Sequence, residues 1–115
     1  MIKVKYTYDK DKRECALMVE GHAGQAEIGK DIICASASIL AYTIAQVVKS
    51  MEHHGDLVEP PTIELEGGDA TIKCRAKDDY LLAEMMQYFF VAKAGYHLLA
   101  YNYPQFVQLI TDDKA

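Results

Sequence analysis

The sequence predicts an α+β fold, a two-layer sandwich in which two helices pack on a mixed or antiparallel sheet of about five strands. Two hairpin-like stretches alternate apolar and polar residues, each is followed by a long segment of helical periodicity, and one short strand closes the chain. The order of elements is therefore ββαββαβ. At 115 residues and without a linker, the chain is expected to form a single domain over residues 1–115.

The first half of the chain predicts a hairpin, a loop and a helix. Residues 2–8 and 15–20 alternate as paired strands do, and residues 21–30 contain three glycines and no periodicity, which is typical of a loop. Asp31 is expected as the N-cap of the helix that follows. Its predicted buried face comprises Ile33, Ala37, Leu40, Ile44, Val47, Val48 and Met51.

The second half repeats this order and adds a strand. Residues 63–74 predict a hairpin around the turn Gly67-Gly68-Asp69, and Asp78 opens a helix that ends near Asn102. Residues 106–110 predict the last strand. The buried face of the second helix is expected to comprise Leu82, Met85, Phe89, Tyr96 and Leu99.

Composition excludes several classes of protein. Half of the residues are hydrophobic and 25% are charged, which excludes an intrinsically disordered chain. With 12 basic and 17 acidic residues the net charge is −5, and such a chain repels a phosphate backbone. Direct binding of nucleic acid is therefore disfavoured, whereas a basic peptide remains a suitable partner.

The N-terminal residues, the lengths of the apolar runs and the cysteines together predict a protein of a reducing compartment. The first residues lack the apolar core of a signal peptide, and no run is expected to approach the ~18 apolar residues of a membrane span, so no membrane partner is predicted. The three cysteines, Cys15, Cys34 and Cys74, form neither an even set nor a CxxC motif. We therefore expect a cytoplasmic protein without metal or cofactor.

The most informative segment runs from Gly21 to Ser38. With Asp31 as N-cap, Cys34 is expected in the first helical turn, where unpaired N–H groups and the helix dipole favour a thiolate and offer oxyanion donors. His22 stands at the other end of the glycine-rich loop, which is long enough to return the imidazole to the sulfur. Small residues surround the cysteine, so that a peptide can approach it. The segment predicts a nucleophilic cysteine with a histidine base.

Simpler interpretations compete with this one. A lone cysteine near a helix start is usually a small buried hydrophobe, as Cys15 and Cys74 are expected to be from their phase in the strands. His53 and His54 are expected to relieve the dipole at the end of the first helix, and His97 is expected to be structural.

The pattern Gly-His-Ala at residues 21–23, Gly-x-Asp-x-x-Cys-Ala at 29–35 and Ser at 38 resembles the ribosomal-processing cysteine protease family, Prp. The similarity extends along the whole chain to Tyr103-Pro104 at the entry of the last strand. After Cys34-Ala35 the chain carries Ser36-Ala37, where the family tends to have a small residue and then valine.

The resemblance implies a small cytoplasmic homodimer with a Cys/His dyad and no cofactor. By position, it implies Cys34 as the nucleophile and His22 as the general base, with Asp31 and Ser38 in supporting roles. It also implies a substrate, the precursor of large-subunit ribosomal protein twenty-seven, from which an N-terminal extension is removed after a Phe-containing motif. Tyr42, Tyr80 and Phe106 are aromatic candidates for a pocket that receives the substrate's phenylalanines.

Three alternatives stay open at this point. Phage relatives of the family process capsid proteins instead. The chain can also be a non-catalytic ribosome-associated or peptide-binding module in which Cys34 merely packs. A redox-sensing thiol is the third alternative, and it lacks a resolving cysteine.

Overall fold

The described residues of the computed structural model, 1–21, 28–66 and 69–110, form seven elements, and of residues 28–31 only the backbone is described. The elements are β1 (Ile2–Asp9), β2 (Glu14–Glu20), α1 (Ile28–His53), β3 (Thr62–Glu66), β4 (Asp69–Arg75), α2 (Asp79–Asn102) and β5 (Val107–Ile110). The predicted order ββαββαβ is confirmed. The tail from residue 111 lies outside the described residues.

The strands form one mixed sheet in the order β3-β4-β2-β1-β5. The two hairpins supply antiparallel pairs, and β2 joins them by pairing with both β1 and β4. Strand β5 lies parallel to β1, with Ile2 opposite Val107, because the chain crosses over through α2 before it returns to the sheet edge. The predicted α+β class with a mixed sheet is therefore confirmed.

Both helices cover the same face of the sheet. Most residues of β1, β2 and β4 that alternate toward this face are almost fully buried, while Tyr6 and Tyr8 of β1 are half-buried. The intervening positions carry most of the charged side chains. The buried strand residues are Ile2, Val4, Cys15, Leu17, Val19, Ala70, Ile72 and Cys74. Period-two alternation in the sequence thus identified the core side of the sheet correctly.

Helix α2 matches its sequence signals closely. Its N-cap is Asp78, whose carboxylate accepts a hydrogen bond from the Leu81 N–H at 2.9 Å. Asp79 in the first turn pairs with the Arg13 guanidinium, also at 2.9 Å. The helix buries Leu82, Met85, Phe89, Ala92, Tyr96 and Leu99, which includes the whole predicted face.

Helix α1 begins earlier than the sequence predicted. Its first residue is Ile28, so Asp31 is not the N-cap and residues 28–30 belong to the helix and not to the predicted loop. Apolar periodicity marks where a helix begins to pack, which here is Ile33 at 1% exposure, and it carries no information about an earlier turn. At the other end Gly55 adopts a positive φ of 76° and its N–H bonds to the Glu52 carbonyl, as expected for a helix end.

The two helices approach closely at one point. A Cβ on Gly95 would lie 2.8 Å from Cδ2 of Leu40, so a larger residue at position 95 would force the Leu40 side chain to move. Next to it, the Tyr96 hydroxyl donates a 2.8 Å hydrogen bond to the Ala37 carbonyl. Burial raises the pKa of Tyr96, so its hydroxyl stays protonated and remains a donor.

By length and composition alone, residues 32–53 of α1 pass the test for a membrane-spanning helix. The expectation that no segment of the chain approaches this length is therefore wrong. In the fold, the apolar stripe of α1 packs on the sheet and on α2. The buried core helix of a folded domain can have the same length and hydropathy as a membrane-spanning helix.

Candidate active site

A small cavity opens where α1 passes over the ends of β1, β2 and β4. Its volume is about 110 Å³, enough for a side chain or a few water molecules. The floor is apolar and the wall from α1 and the second hairpin is polar. The described lining residues are Ile2, Val19, Gly21, Cys34, Ala37, Ser38, Tyr42, Glu66, Asp69 and Ala70.

The thiol of Cys34 is a half-buried group of this cavity. Because α1 begins at Ile28, Cys34 is the seventh residue of the helix and lies in its second turn, so the prediction of a first-turn position is wrong. Only the first four N–H groups of a helix are unpaired, and the dipole effect falls off within the first turn. The helix terminus therefore offers no free N–H at Cys34, and the Cys34 side chain lies beyond the turn in which the helix dipole acts most strongly.

Ser38 and Tyr42 continue the cavity wall along α1. They follow Cys34 at intervals of four residues, which places all three side chains on one side of the helix. Ser38 is exposed, and its hydroxyl makes no hydrogen bond within the described part of the chain. The hydroxyl of the neighbouring Ser36 is engaged differently, because it donates to the Ile32 carbonyl at 2.8 Å. The Ser38 hydroxyl is thus available to a molecule in the cavity.

Two carboxylates border the same cavity. Glu66 and Asp69 are paired across the end of the second hairpin, and Asp69 Oδ1 accepts a 3.2 Å hydrogen bond from the Gly21 N–H. Neither Glu66 nor Asp69 was expected at the site from the sequence. The sequence Gly67-Gly68-Asp69 predicted a hairpin, but the register between β2 and β4 is what brings Asp69 to the end of β2.

Two of the predicted site residues lie partly or wholly outside the described residues. His22 belongs to the range 22–27, and of Asp31 only the backbone is described, in the first turn of α1. Of the aromatic candidates, Tyr42 lines the cavity, whereas Tyr80 and Phe106 are not among its described lining residues.

The other two cysteines are buried in the core, as predicted. Cys15 is 0% exposed and Cys74 is 2% exposed, and the two face each other across β2 and β4. Burial raises the pKa of Cys15 to about 11 and that of Cys74 to about 12. Both remain thiols at neutral pH and are shielded from solvent, so Cys34 is the cysteine that can meet a substrate.

The histidines of the described chain do not build a further site. His54 Nδ1 lies 2.7 Å from the Ser50 carbonyl oxygen at the end of α1, and His53 stacks edge-on against it. Across the described ranges, no three His, Cys, Asp or Glu side chains gather closely enough to hold a metal ion.

An accessible thiol beside a cavity at the surface has the chemistry of a cysteine protease, in which sulfur attacks a peptide carbonyl. The family model described as cysteine protease Prp matches residues 1–108 of this chain. The chain therefore belongs to the Prp family of cysteine proteases. Comparison with curated proteins finds no significant match.

Solved structures share the fold. SMU.848 from Streptococcus mutans is 25% identical, with a TM-score of 0.64 over 95% of this chain and 91% of that one. The ribosomal processing protease Prp of Staphylococcus aureus, solved with a substrate peptide, is 23% identical, with a TM-score of 0.68 over 97% of this chain and 100% of that one. The same S. aureus protein with a covalently linked product peptide is 24% identical, with a TM-score of 0.66 over 95% of this chain and 97% of that one.

We predict that iodoacetamide modifies Cys34 selectively. At pH 7.5 the folded protein should be alkylated at Cys34 within minutes, because Cys15 and Cys74 are buried and their pKa values of about 11 and 12 keep them protonated. The selectivity should persist at pH 9, which is still below both raised values. Peptide mapping by mass spectrometry reads the result, and the urea-unfolded protein, in which all three thiols react, is the control. Equal modification of the three thiols in the folded protein would contradict the assignment.

Proposed function

We propose that the chain is an endopeptidase that removes the N-terminal extension of the precursor of large-subunit ribosomal protein twenty-seven, cleaving after a Phe-containing motif. The observation that carries this proposal is the position of Cys34, the one cysteine of the three that is not fully buried, at the cavity above the ends of the strands. Family membership and the S. aureus Prp structures with substrate and product peptides support a peptide as the substrate.

In the proposed mechanism Cys34 is the nucleophile and His22 is the general base. His22 takes the Sγ proton, the sulfur bonds to the scissile carbonyl carbon, and the carbonyl electron pair moves onto oxygen. The C–N bond then breaks, and the imidazolium protonates the leaving amine, which gives a thioester. Water, deprotonated by His22, attacks the thioester carbon, and the sulfur leaves as the thiol. Cys34 lies in the second turn of α1, where the helix dipole favours a thiolate less than it does in the first turn. Deprotonation of Cys34 therefore depends more on His22 than it would for a cysteine at the start of the helix.

Ser38 is proposed as a donor to the oxyanion. A backbone N–H at the seventh position of a helix already has an intrahelical partner, which removes Cys34's own N–H as the expected donor. Ser38 follows one turn later on the same side, lines the cavity and has a hydroxyl without a partner in the described structure. Asp31, at the other supporting position of the family motif, is proposed to assist the dyad from the first turn of α1.

The charges at the cavity favour a basic substrate. The carboxylate of Asp69 is engaged by the Gly21 N–H, whereas Glu66 has no ion pair or hydrogen bond in the described chain. A free carboxylate at the mouth of the cavity, on a chain of net charge −5, attracts the cationic tail of a ribosomal protein. This supports a basic peptide as the molecule that the cavity receives.

Helix α2 supports the proposal of a homodimer. Its outer side carries large apolar residues within one arc of the helix, the most exposed being Tyr101 at 84% and Tyr80 at 74%. Phe90, Val91 and Leu98 belong to the same outer surface. An apolar surface of this kind marks a contact with another protein, and a second copy of the chain is the partner we propose. The three free thiols suit a reducing cytoplasm.

Replacing the nucleophile should abolish cleavage of the precursor. Cys34→Ala should lower turnover by at least 1,000-fold, because no thioester can form, while the stability changes by about 1 kcal/mol or less. His22→Ala should leave a trace of activity that rises with pH, because the thiolate fraction then comes from solution alone. Cleavage is read by mass spectrometry, with thermal melts and capture of uncut precursor alongside. Ser36→Ala is the matched control in α1, and near-normal cleavage by Cys34→Ala would favour the binding-module alternative.

Removing the free carboxylate at the cavity should weaken binding of a basic substrate. Glu66→Gln should raise KM for the precursor about two- to fivefold at low salt, since one charge pair at ~4 Å contributes about 1 kcal/mol in water. The difference should shrink as salt rises, because screening reduces the attraction. Glu64→Gln on the same strand changes the net charge equally and should have little effect. Equal effects of the two variants would show that only net charge matters.

Charged substitutions on the outer side of α2 should dissociate the proposed homodimer. Sedimentation at tens of micromolar should give a dimer for the unaltered chain and a monomer for Leu98→Glu, because the charge would have to be buried in the interface. Val58→Glu, at an exposed apolar residue away from α2, is the matched control and should remain dimeric. A monomeric unaltered chain would refute the proposal.

A further inference from the structure

The cavity beside Cys34 follows from a gap in the side chains of the sheet. The register of the strands places five apolar residues in one row across the sheet, on the side that the helices cover. From one edge to the other, the row comprises Leu109, Val4, Val19, Ala70 and Leu65. Ala70 has a single-carbon side chain, whereas the other four residues are valines and leucines. The gap at Ala70 opens into the cavity that Cys34 and Ala37 of α1 also line.

Two other small residues enlarge the cavity, and each of them is held in place by another part of the fold. Gly21 has a φ of +98°, and a Cβ at this position would collide with the Met1 carbonyl oxygen. Ala37 is 3% exposed, and its carbonyl accepts the hydrogen bond from Tyr96 that joins the two helices. A larger side chain at Ala70 disturbs neither of these contacts. Ala70 is therefore the residue through which the size of the cavity can be set.

The inner part of the cavity is apolar. Ile2, Val19 and Ala70 are 2%, 7% and 8% exposed, and all three belong to the hydrophobic core. The carboxylates of Glu66 and Asp69 belong to exposed residues at the mouth. A polar side chain that entered beyond them would give up its hydrogen bonds to water. The cavity therefore fits an apolar side chain of the substrate.

The volume limits which apolar side chain can enter. A cavity of about 150 Å³ inside a protein binds a benzene ring, whereas this cavity measures about 110 Å³. It holds the branched carbons of a valine or a leucine, but not a whole aromatic ring. We infer that the cavity receives a small aliphatic side chain next to the scissile bond, and that Ala70 is the specificity-determining residue that sets its size limit. A phenylalanine of the proposed substrate motif then lies outside this cavity.

This inference rests on the proposed function, in which Cys34 is the nucleophile that attacks the substrate. One methylene more or less in a hydrophobic pocket changes kcat/KM by about 10- to 200-fold, because the contact is made in the transition state. A change of a few carbons at Ala70 should therefore alter which substrate is preferred. It should not lower the activity on all substrates equally.

Three substitutions at Ala70 alter the cavity in steps. Ala70→Leu fills it and Ala70→Gly widens it, while Ala70→Val fills part of it and replaces the leucine variant if that variant does not fold. Thr71→Leu is the matched control. It enlarges the next residue of β4, whose side chain points to the opposite side of the sheet. Thermal melts establish that each variant is folded.

The primary experiment measures kcat/KM on peptides that span the proposed cleavage site. The residue before the scissile bond is Gly, Ala, Val, Leu or Phe in one set, and the residue after it is varied in the same way in a second set. In one of the sets, the unaltered chain should prefer Val or Leu to Gly by at least tenfold, and should also prefer them to Phe. Ala70→Leu should lower kcat/KM for the Val and Leu peptides of that set at least tenfold and change it for the Gly peptide less than threefold. Ala70→Gly should raise the relative rate of the Phe peptide, and Thr71→Leu should match the unaltered chain.

The second readout needs no cleavage. Alkyl methanethiosulfonates transfer an alkylthio group to a thiol, and the methyl and butyl reagents differ only in the apolar group that is placed beside Cys34. Relative to their rates with glutathione, the butyl reagent should modify Cys34 of the unaltered chain at least threefold faster than the methyl reagent. Ala70→Leu should abolish this advantage and Thr71→Leu should keep it. Mass spectrometry of the intact protein follows the modification.

The outcomes separate this inference from the proposed function. Unchanged peptide selectivity in folded Ala70→Leu or Ala70→Val would overturn the role of Ala70 and leave the protease function intact. An equal loss on every peptide, or a preference of the unaltered chain for Phe in both sets, would overturn it as well. No cleavage of any peptide, together with loss of the butyl advantage in Ala70→Leu, would refute the proposed substrate and support the assignment of the cavity. No cleavage and no butyl advantage in the unaltered chain would refute both.

Discussion

The buried hydrogen bond from Tyr96 to the Ala37 carbonyl determines where α1 lies. Tyr96 is 0% exposed, and a buried hydroxyl without a partner costs about 1–3 kcal/mol, so the donor must find an acceptor. Gly95 lets Leu40 come close enough for that contact. Ala37 is one turn beyond Cys34, and both line the cavity. The packing of the two helices therefore helps to set the distance between the Cys34 thiol and the ends of β1, β2 and β4.

That placement determines what the thiol needs in order to react. A cysteine in the first turn of a helix gains from unpaired N–H groups, whereas Cys34 lies a turn further in, where the backbone is satisfied. This is why the proposed mechanism assigns the activation of Cys34 to His22 and the stabilisation of the oxyanion to the Ser38 side chain.

The sequence predicted the elements that have a periodic pattern of buried side chains. It did not predict the parts of the structure that lack such a pattern. Period-two and helical patterns located both hairpins and the buried face of α2, and Asp78 marked its cap. The start of α1 was misplaced because its first turn precedes the first buried residue, Ile33. Glu66 and Asp69 could not be assigned to the cavity, because their proximity to Cys34 depends on the register between β2 and β4. The contacts of His22 lie outside the described residues, so its role remains a prediction.

The location of the cavity follows from how a sheet ends. Inside the sheet, β2 places Cys15 opposite Cys74, and burial keeps both thiols protonated and out of reach. At the end of the same strand the ladder stops, and the Gly21 N–H donates to the carboxylate of Asp69 instead of a backbone carbonyl. The group that completes the fold at this point is therefore also a charged group of the cavity.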